Sequence, residues 1–252
     1  MQTLTKEEYD DYCSRYKKVW KYLNDVSYEE DSVIQSICDL RGYDLESNMP
    51  NMLKEIGFVF IDEDLFDETK LLKISRDLGI YTNKDTFLLK GRYIFPVKDM
   101  LGNIVALIGW YPDDKKYITT PSKFFKKGCM LFGMEQFEKT GIGKDYILVE
   151  GIFDCISVRS LGFNCVALMG IKATNYTKVL YTLFKGIVAI PDNDKEGRKV
   201  IANDAWKLPV NGKYFKWIGS LKDIDDMIKY YDMKDILKDI WKEKERVVTL
   251  EC

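Results

Sequence analysis

Acidic side chains recur in the second half of the chain at spacings that could bring them into one site. Glu150 and Asp154 lie four residues apart, and two Asp-x-Asp pairs follow. The six acids are Glu150, Asp154, Asp192, Asp194, Asp223 and Asp225. Carboxylates that are forced together repel one another unless divalent cations lie between them. A site of this kind usually handles phosphates, so these residues predict metal-dependent phosphate chemistry.

The segments between the acids predict a sheet that would gather them. Residues 146–149, 165–169 and 187–190 are apolar runs, while residues 154–161 and 173–183 have the pattern of helices. This alternation is typical of buried parallel strands joined by crossover helices, whose ligands collect beyond the carboxyl ends of the strands. Glu150 ends the first strand, and Asp192 and Asp194 follow the third. A fourth strand over 213–218 would bring Asp223 and Asp225 to the same side if it joins the sheet.

Each acidic motif also has a simpler interpretation. Asp194 followed by glycine is typical of a helix N-cap, and residues 223–226 could be the solvated first turn of a helix. Residues 192–197 imitate the start of a calcium EF-hand loop, but Asn203 stands where that loop needs its bidentate glutamate, and a strand precedes it. The convergence of several clusters at strand ends favours a metal site over these alternatives.

In this order the motifs resemble the TOPRIM domain of bacterial and phage DnaG-type primases. The family pattern is a strand ending in Glu-Gly with an Asp four residues after the Glu, a strand ending in Gly, Asp-x-Asp-x-x-Gly, and a later Asp-x-Asp. The matching positions are Glu150, Gly151, Asp154, Gly170, Asp192, Asp194, Gly197, Asp223 and Asp225. Residues 91–97, 99–103, 116–122 and 125–133 resemble the basic subdomain that precedes TOPRIM in these primases. Topoisomerases and small nucleases of the TOPRIM superfamily lack that block.

The chain departs from the family pattern at three places, one of which is Ile152, where the family usually has an aromatic residue. Residues 108–110 are Ile-Gly-Trp where the family usually has Gly-Gly-Arg, so one arginine expected to contact phosphate or template is missing. Glu196 replaces a usual alanine and adds a negative charge beside the acids.

Composition excludes several kinds of site. The chain of 252 residues has no histidine, which rules out His-based acid–base catalysis, His-containing triads and His-ligated metals. Its 6 cysteines form no Cys-x-x-Cys pair, so no zinc module is expected, and Cys155 and Cys165 are interpreted as small buried apolar residues. We find no helicase phosphate loop, signal peptide or membrane-spanning run, and predict a cytoplasmic protein, in the host cytoplasm if a phage encodes it.

Positive charge concentrates in the segment that resembles the basic subdomain. Residues 1–85 carry 11 basic and 19 acidic side chains, whereas residues 86–133 carry 8 basic and 3 acidic ones. Aromatic residues such as Tyr93, Phe95 and Trp110 are interleaved with the lysines, and the mixture could neutralise phosphates and stack on bases. The alternative is a hairpin whose aromatic side chains face a core. The resemblance implies that triphosphate or template is bound by Arg92, Lys116, Lys126 and Lys127.

The expected architecture is α/β. A TOPRIM domain with a central parallel sheet flanked by helices (141–220) follows a smaller mixed α+β basic subdomain (86–140) and an N-terminal, mainly helical segment (1–85). Residues 221–252 would hold the last acidic motif and helices packed on the TOPRIM domain. In the N-terminal segment, a helical stripe that includes Tyr12, Tyr16 and Leu23 is interpreted as a face towards the core or a docking face.

The resemblance implies a DNA primase, an RNA polymerase that makes short primers on single-stranded DNA by Mg²⁺- or Mn²⁺-dependent nucleotidyl transfer. Glu150, Asp192 and Asp194 would be catalytic, all six acids would hold metal, and Glu150 has the alternative role of general base. The implied partners are single-stranded DNA, NTPs and either a replicative helicase or a separate zinc-bearing protein. Two other functions stay open: a TOPRIM-family metal-dependent nuclease, and a non-catalytic regulator that binds nucleotides or single-stranded DNA.

Overall fold

A computed structural model describes residues 5–62, 78–81, 86–113, 116–120, 130–169, 173–210, 212–215, 217 and 221–242. The chain forms two compact units. The first comprises Met1–Leu45 and Leu53–Lys126, and the second comprises Glu46–Met52 and Lys127–Cys252. The four-part division of the chain given above stays a prediction.

The first unit combines helices with an antiparallel sheet. Its elements are α1 (Lys6–Val26), α2 (Glu30–Arg41), β1 (Val59–Phe60), β2 (Tyr93–Lys98), β3 (Ile104–Tyr111) and β4 (Lys116–Thr119), and α3 (Met49–Ile56) contributes to both units. The strands pair in the order β1-β2-β3-β4, each antiparallel to the next.

Helix α1 begins at a capping box in which Thr5 and Glu8 satisfy each other's backbone N–H groups. Its buried stripe includes Tyr12, Tyr16 and Leu23, and the Tyr12 hydroxyl donates to the Val105 carbonyl of β3 at 2.8 Å. The interpretation of this stripe as facing a core is therefore confirmed.

Strands β2 and β3 are buried along almost their whole length. Tyr93, Phe95 and Trp110 are each at most 8% exposed. These three rings therefore face a core, which is the second of the two interpretations that the sequence left open, and they are not available for base stacking. The sequence could not decide between the two because aromatic side chains between charged ones have the same pattern whether a strand is covered on one face or on both.

The second unit contains a sheet of four parallel strands in the order β6-β5-β7-β8. Its elements are α4 (Gln136–Thr140), β5 (Asp145–Val149), α5 (Ile152–Ser160), β6 (Cys165–Ala167), α6 (Asn175–Tyr181), β7 (Gly186–Ile190), α7 (Lys195–Ala202), β8 (Lys213–Tyr214), α8 (Ile224–Tyr230) and α9 (Met233–Lys242). This alternation of parallel strands and helices confirms the predicted α/β fold.

The boundaries differ in detail from the predicted ones. Strand β6 ends before Met169 because this residue has φ 57°, outside the extended region, and its N–H donates to the Glu150 carbonyl at 3.2 Å. Strand β8 does join the sheet, parallel to β7: Lys213 and Tyr214 pair with it, and the Phe215 N–H donates to the Ala189 carbonyl at 2.7 Å.

The core of the second unit consists of apolar side chains and buried thiols. Cys155 and Cys165 are fully buried and not in a disulfide, as predicted. Across the described segments we find no helix with the length and apolar character needed to cross a bilayer.

Candidate metal centre

The parallel register brings two of the predicted acids to one edge of the sheet. Val149 pairs with Ile190, so Glu150 and Asp192 both lie just beyond the carboxyl ends of adjacent strands. The pKa of Glu150 is raised, mainly by burial and then by the charge of Asp194. Burial, followed by repulsion from Glu150 and Asp223, raises the pKa of Asp192 to about 7. These carboxylates are thus near enough to hinder one another's ionisation.

Asp194 and Asp223 are candidate metal ligands that also cap helices. Asp194 is the N-cap of α7, and its Oδ1 accepts from the N–H groups of Glu196 at 2.9 Å and Gly197 at 2.8 Å. Asp223 is the N-cap of α8, and its Oδ1 accepts from the Asp226 N–H at 2.9 Å. Capping occupies one oxygen of each side chain and fixes its orientation, so the capping interpretation and the metal interpretation are compatible.

Asp154 and Asp225 are connected beneath this edge. Asp154, on α5, is 8% exposed, and its Oδ1 accepts from the Asp225 N–H at 3.2 Å. Gly151 makes room for it, because a Cβ at position 151 would overlap the Asp154 Oδ2. Burial and then the charges of Asp223, Asp192 and Asp225 raise the pKa of Asp154 well above its usual range.

Asn193 and Lys222 join the two loops that carry the Asp-x-Asp motifs. The Asn193 N–H donates to the Lys222 carbonyl at 2.5 Å, and Asn193 Nδ2 donates to the Leu221 carbonyl at 2.9 Å. The Lys222 ammonium lies 3.8 Å from Asp192 Oδ2 and 3.9 Å from Asp223 Oδ2. Sequence reasoning missed both residues, although a lysine directly before an acidic motif was a usable signal.

The donor set fits hard divalent cations. Every candidate ligand is a carboxylate oxygen, the type that Mg²⁺ and Mn²⁺ prefer. The pKa values of Glu150, Asp154, Asp192 and Asp223 are all raised, in each case chiefly by burial. Burial disfavours the ionised form of each of these acids. Such a cluster is expected where a bound cation compensates the negative charge.

The four predicted basic residues belong to a different part of the chain or lie outside the described residues. In the first unit, the Arg92 guanidinium lies 5.4 Å from the centre of the Tyr111 ring, and its Nη1 is buried without a hydrogen-bond partner among the described residues. Gly109 leaves space for it, since a Cβ there would lie 2.8 Å from Arg92 Cδ. Lys116 pairs with Tyr111 in the sheet, and its side chain is not among those that the structure describes. Lys126 and Lys127 lie outside the described residues.

Sequence comparison relates the chain to DNA primases. Residues 147–228 match the Toprim-like family. The DNA primase of Clostridium acetobutylicum is 36% identical over 136 residues, which are 52% of this chain and 23% of that protein. The DNA primase of Pseudomonas putida is 31% identical over 163 residues, which are 62% of this chain and 24% of that protein. The matched region is therefore about a quarter of the length of these relatives.

Solved structures extend the likeness over most of the chain. A DnaG primase catalytic domain bound to single-stranded DNA has a TM-score of 0.73 at 16% identity, covering 94% of this chain and 80% of that one. The Aquifex aeolicus primase fragment with zinc-binding and RNA polymerase domains has a TM-score of 0.71 at 23% identity, covering 95% and 62%. The chain thus has the fold of the DnaG catalytic core, and the resemblance seen in its motifs is confirmed.

Proposed function

We propose that this chain is a primase-type RNA polymerase that joins ribonucleotides on a single-stranded DNA template. The observation that carries the proposal is the extent of the likeness to primases. The match to the Pseudomonas putida enzyme covers 163 residues, well beyond the Toprim-like segment at 147–228. A nuclease that shared only the Toprim domain would not give this extended match.

In this proposal the acids at the sheet edge hold Mg²⁺ or Mn²⁺. The ligands would come from the six predicted acids, Glu150, Asp154, Asp192, Asp194, Asp223 and Asp225, and the ions would stabilise the charge of a triphosphate and its pyrophosphate leaving group. Helix capping keeps Asp194 and Asp223 oriented without rearrangement, which is the preorganisation that phosphoryl chemistry requires. The Glu150 carboxylate has no hydrogen-bond or ion-pair partner among the described residues, which also leaves it available as a general base for the attacking 3′-hydroxyl.

The test is incubation with single-stranded DNA, labelled NTPs and Mg²⁺ or Mn²⁺, followed by sizing of both the products and the template. Template-dependent RNA products support the proposal. A shortened template without RNA products would favour the nuclease, and binding without either reaction would favour the regulator. Glu150→Gln should abolish synthesis. Asp145→Asn, at the exposed opposite end of β5, is the matched control and should retain it.

We further propose that Arg92, Lys116, Lys126 and Lys127 contact triphosphate or template, and that a replicative helicase or a zinc-bearing protein stimulates synthesis. The net positive charge of residues 86–133 supports the first point. Nitrocellulose or anisotropy measurements over a range of salt concentrations test it. Each lysine→alanine change should lower the salt dependence of DNA binding by about one phosphate contact.

A further inference from the structure

Asp225 differs from the other acids because protein groups already satisfy both of its carboxylate oxygens. It is 1% exposed. Its Oδ1 accepts from the Ser157 hydroxyl at 2.5 Å, and its Oδ2 lies 3.2 Å from the Lys229 ammonium. Ser157 is on α5 and Lys229 is one turn further along α8, so the carboxylate is held from two sides.

The surroundings of Asp225 already contain a cation. The carboxylates of Asp223, Asp225 and Asp226 lie within 4.8 Å of one another, which alone would be compatible with a metal ion. However, the Lys229 ammonium pairs with Asp225 at 3.2 Å and with Asp226 at 3.4 Å. This lysine side chain is only 20% exposed. A partly buried ammonium in direct contact neutralises the acid without any metal.

Asp225 also links two elements of the site through its backbone. Its N–H donates to Asp154 Oδ1 at 3.2 Å, while its side chain returns to Ser157 on the same helix as Asp154. The first turn of α8, which Asp223 caps, is thereby fastened to α5 at two points. Loss of either bond would remove one of the attachments that hold this turn, and with it Asp223, in place.

We infer that Asp225 is a positioning residue rather than a metal ligand, and that Ser157 and Lys229 are the residues that hold it in place. The inference rests on the metal centre of the proposed function and removes Asp225 from the six acids predicted to hold metal. Ser157 and Lys229 then belong to the support of the site, the part of a metal centre that orients the ligands and tunes their affinity.

The experiment is Mn²⁺ binding followed by electron paramagnetic resonance at saturating metal, which counts ions without requiring activity. Asp225→Asn keeps the shape of the side chain and can still accept from Ser157, and it should bind as many Mn²⁺ ions as the wild type. Asp192→Asn should bind fewer. If Asp225→Asn lost an ion, the inference would be overturned, whatever the protein did with NTPs.

A charge-neutral variant gives a second, independent test. Ser157→Ala should weaken Mn²⁺ binding on the order of tenfold with the number of ions unchanged, and Ser157→Thr should restore it. Ser160→Ala is the matched control, since its hydroxyl on the same helix donates only to the Ser157 carbonyl, at 2.7 Å. Binding by Ser157→Ala as tight as in the wild type would contradict the positioning role. A wild type that binds Mn²⁺ but makes no RNA would overturn the proposed function alone, and the ion counts would still decide the role of Asp225.

Discussion

Gly197, in the first turn of α7, lies directly against the backbone of Asp192. A Cβ at position 197 would overlap the Asp192 carbonyl oxygen and stand 2.8 Å from its carbonyl carbon. Because both partners are backbone, no flexible side chain can move aside to make room. The glycine of the Asp-x-Asp-x-x-Gly motif therefore lets the helix start close beneath the loop that presents Asp192 and Asp194.

Gly197→Ala should displace the Asp192 backbone. We expect a loss of unfolding free energy of about 1–3 kcal/mol, as for overpacked interiors, together with weaker Mn²⁺ binding. Thermal melting and metal titration measure the two effects. Gly162→Ala is the control, because Gly162 has φ 90° and open space around its Cβ position. It should lose stability through backbone strain and keep its metal affinity. Wild-type metal binding by Gly197→Ala would show that Asp192 does not depend on this contact.

The raised pKa of Asp192 predicts how stability changes with pH in the metal-free protein. Its pKa rises from an ordinary value of 3.8 to about 7, so the folded protein holds this proton more tightly than the unfolded chain. The stabilisation is complete below pH 3.8 and is lost as pH rises through about 7. Each unit of pKa difference corresponds to about 1.4 kcal/mol. Metal-free wild type should therefore be less stable at pH 8 than at pH 5 by this contribution.

Asp192→Asn removes that titration and isolates its contribution. Chemical denaturation in EDTA at pH 5 and pH 8 should show a smaller pH-dependent loss of stability for the variant than for the wild type. At pH 8 the variant should be no less stable, because repulsion among the acids is relieved, while nucleotide incorporation should fall by orders of magnitude. If the stability of Asp192→Asn depended on pH as strongly as that of the wild type, the Asp192 carboxylate of the wild type would have an ordinary pKa.

Asn193 offers a test of how the two acidic loops are held together. Asn193→Ala removes the side-chain hydrogen bond to Leu221, and should cost about 1 kcal/mol of unfolding free energy. We expect faster hydrogen exchange in residues 221–226 and weaker Mn²⁺ binding. Asn164→Ala is the matched control, since its Nδ2 donates to the Asp145 carbonyl at 3.3 Å, at the opposite end of β5. Equal exchange rates of residues 221–226 in the two variants would show that the Asn193 side chain does not hold the two acidic loops together.

The sheet edge could be predicted from the sequence because its determinants are local. Apolar runs ended by acids define parallel strands and place Glu150 and Asp192 at their carboxyl ends. The supports of the site could not be predicted in the same way. Ser157 and Asp225 are 68 residues apart, and nothing in the sequence around Ser157 distinguishes it from any other serine on a buried helix. The pairing of Lys229 with Asp225 was easier to predict, because a lysine four residues after Asp225 is on the same face of a helix.

The Lys222 ammonium lies close to two proposed metal ligands, so we predict that it competes with the metal for them. Its ammonium is near both Asp192 and Asp223, but its side chain is 62% exposed and the distances of 3.8 and 3.9 Å are long for ion pairs. A cation held this loosely can be displaced by a divalent ion. Lys222→Gln should therefore bind Mn²⁺ roughly two- to fivefold more tightly, the range of an exposed ion pair, and the gain should shrink as salt is added.

The control for this prediction is Lys199→Gln. Lys199 is also exposed and pairs with Glu196 at 2.6 Å, in the same helix that Asp194 caps. Its loss removes the same charge from the neighbourhood without vacating the space between Asp192 and Asp223. Isothermal titration with Mn²⁺ at two salt concentrations should show a clear gain for Lys222→Gln and little change for Lys199→Gln. Equal gains would indicate a general effect of charge, and weaker binding by Lys222→Gln would mean that Lys222 helps to assemble the ligands instead of competing with the metal.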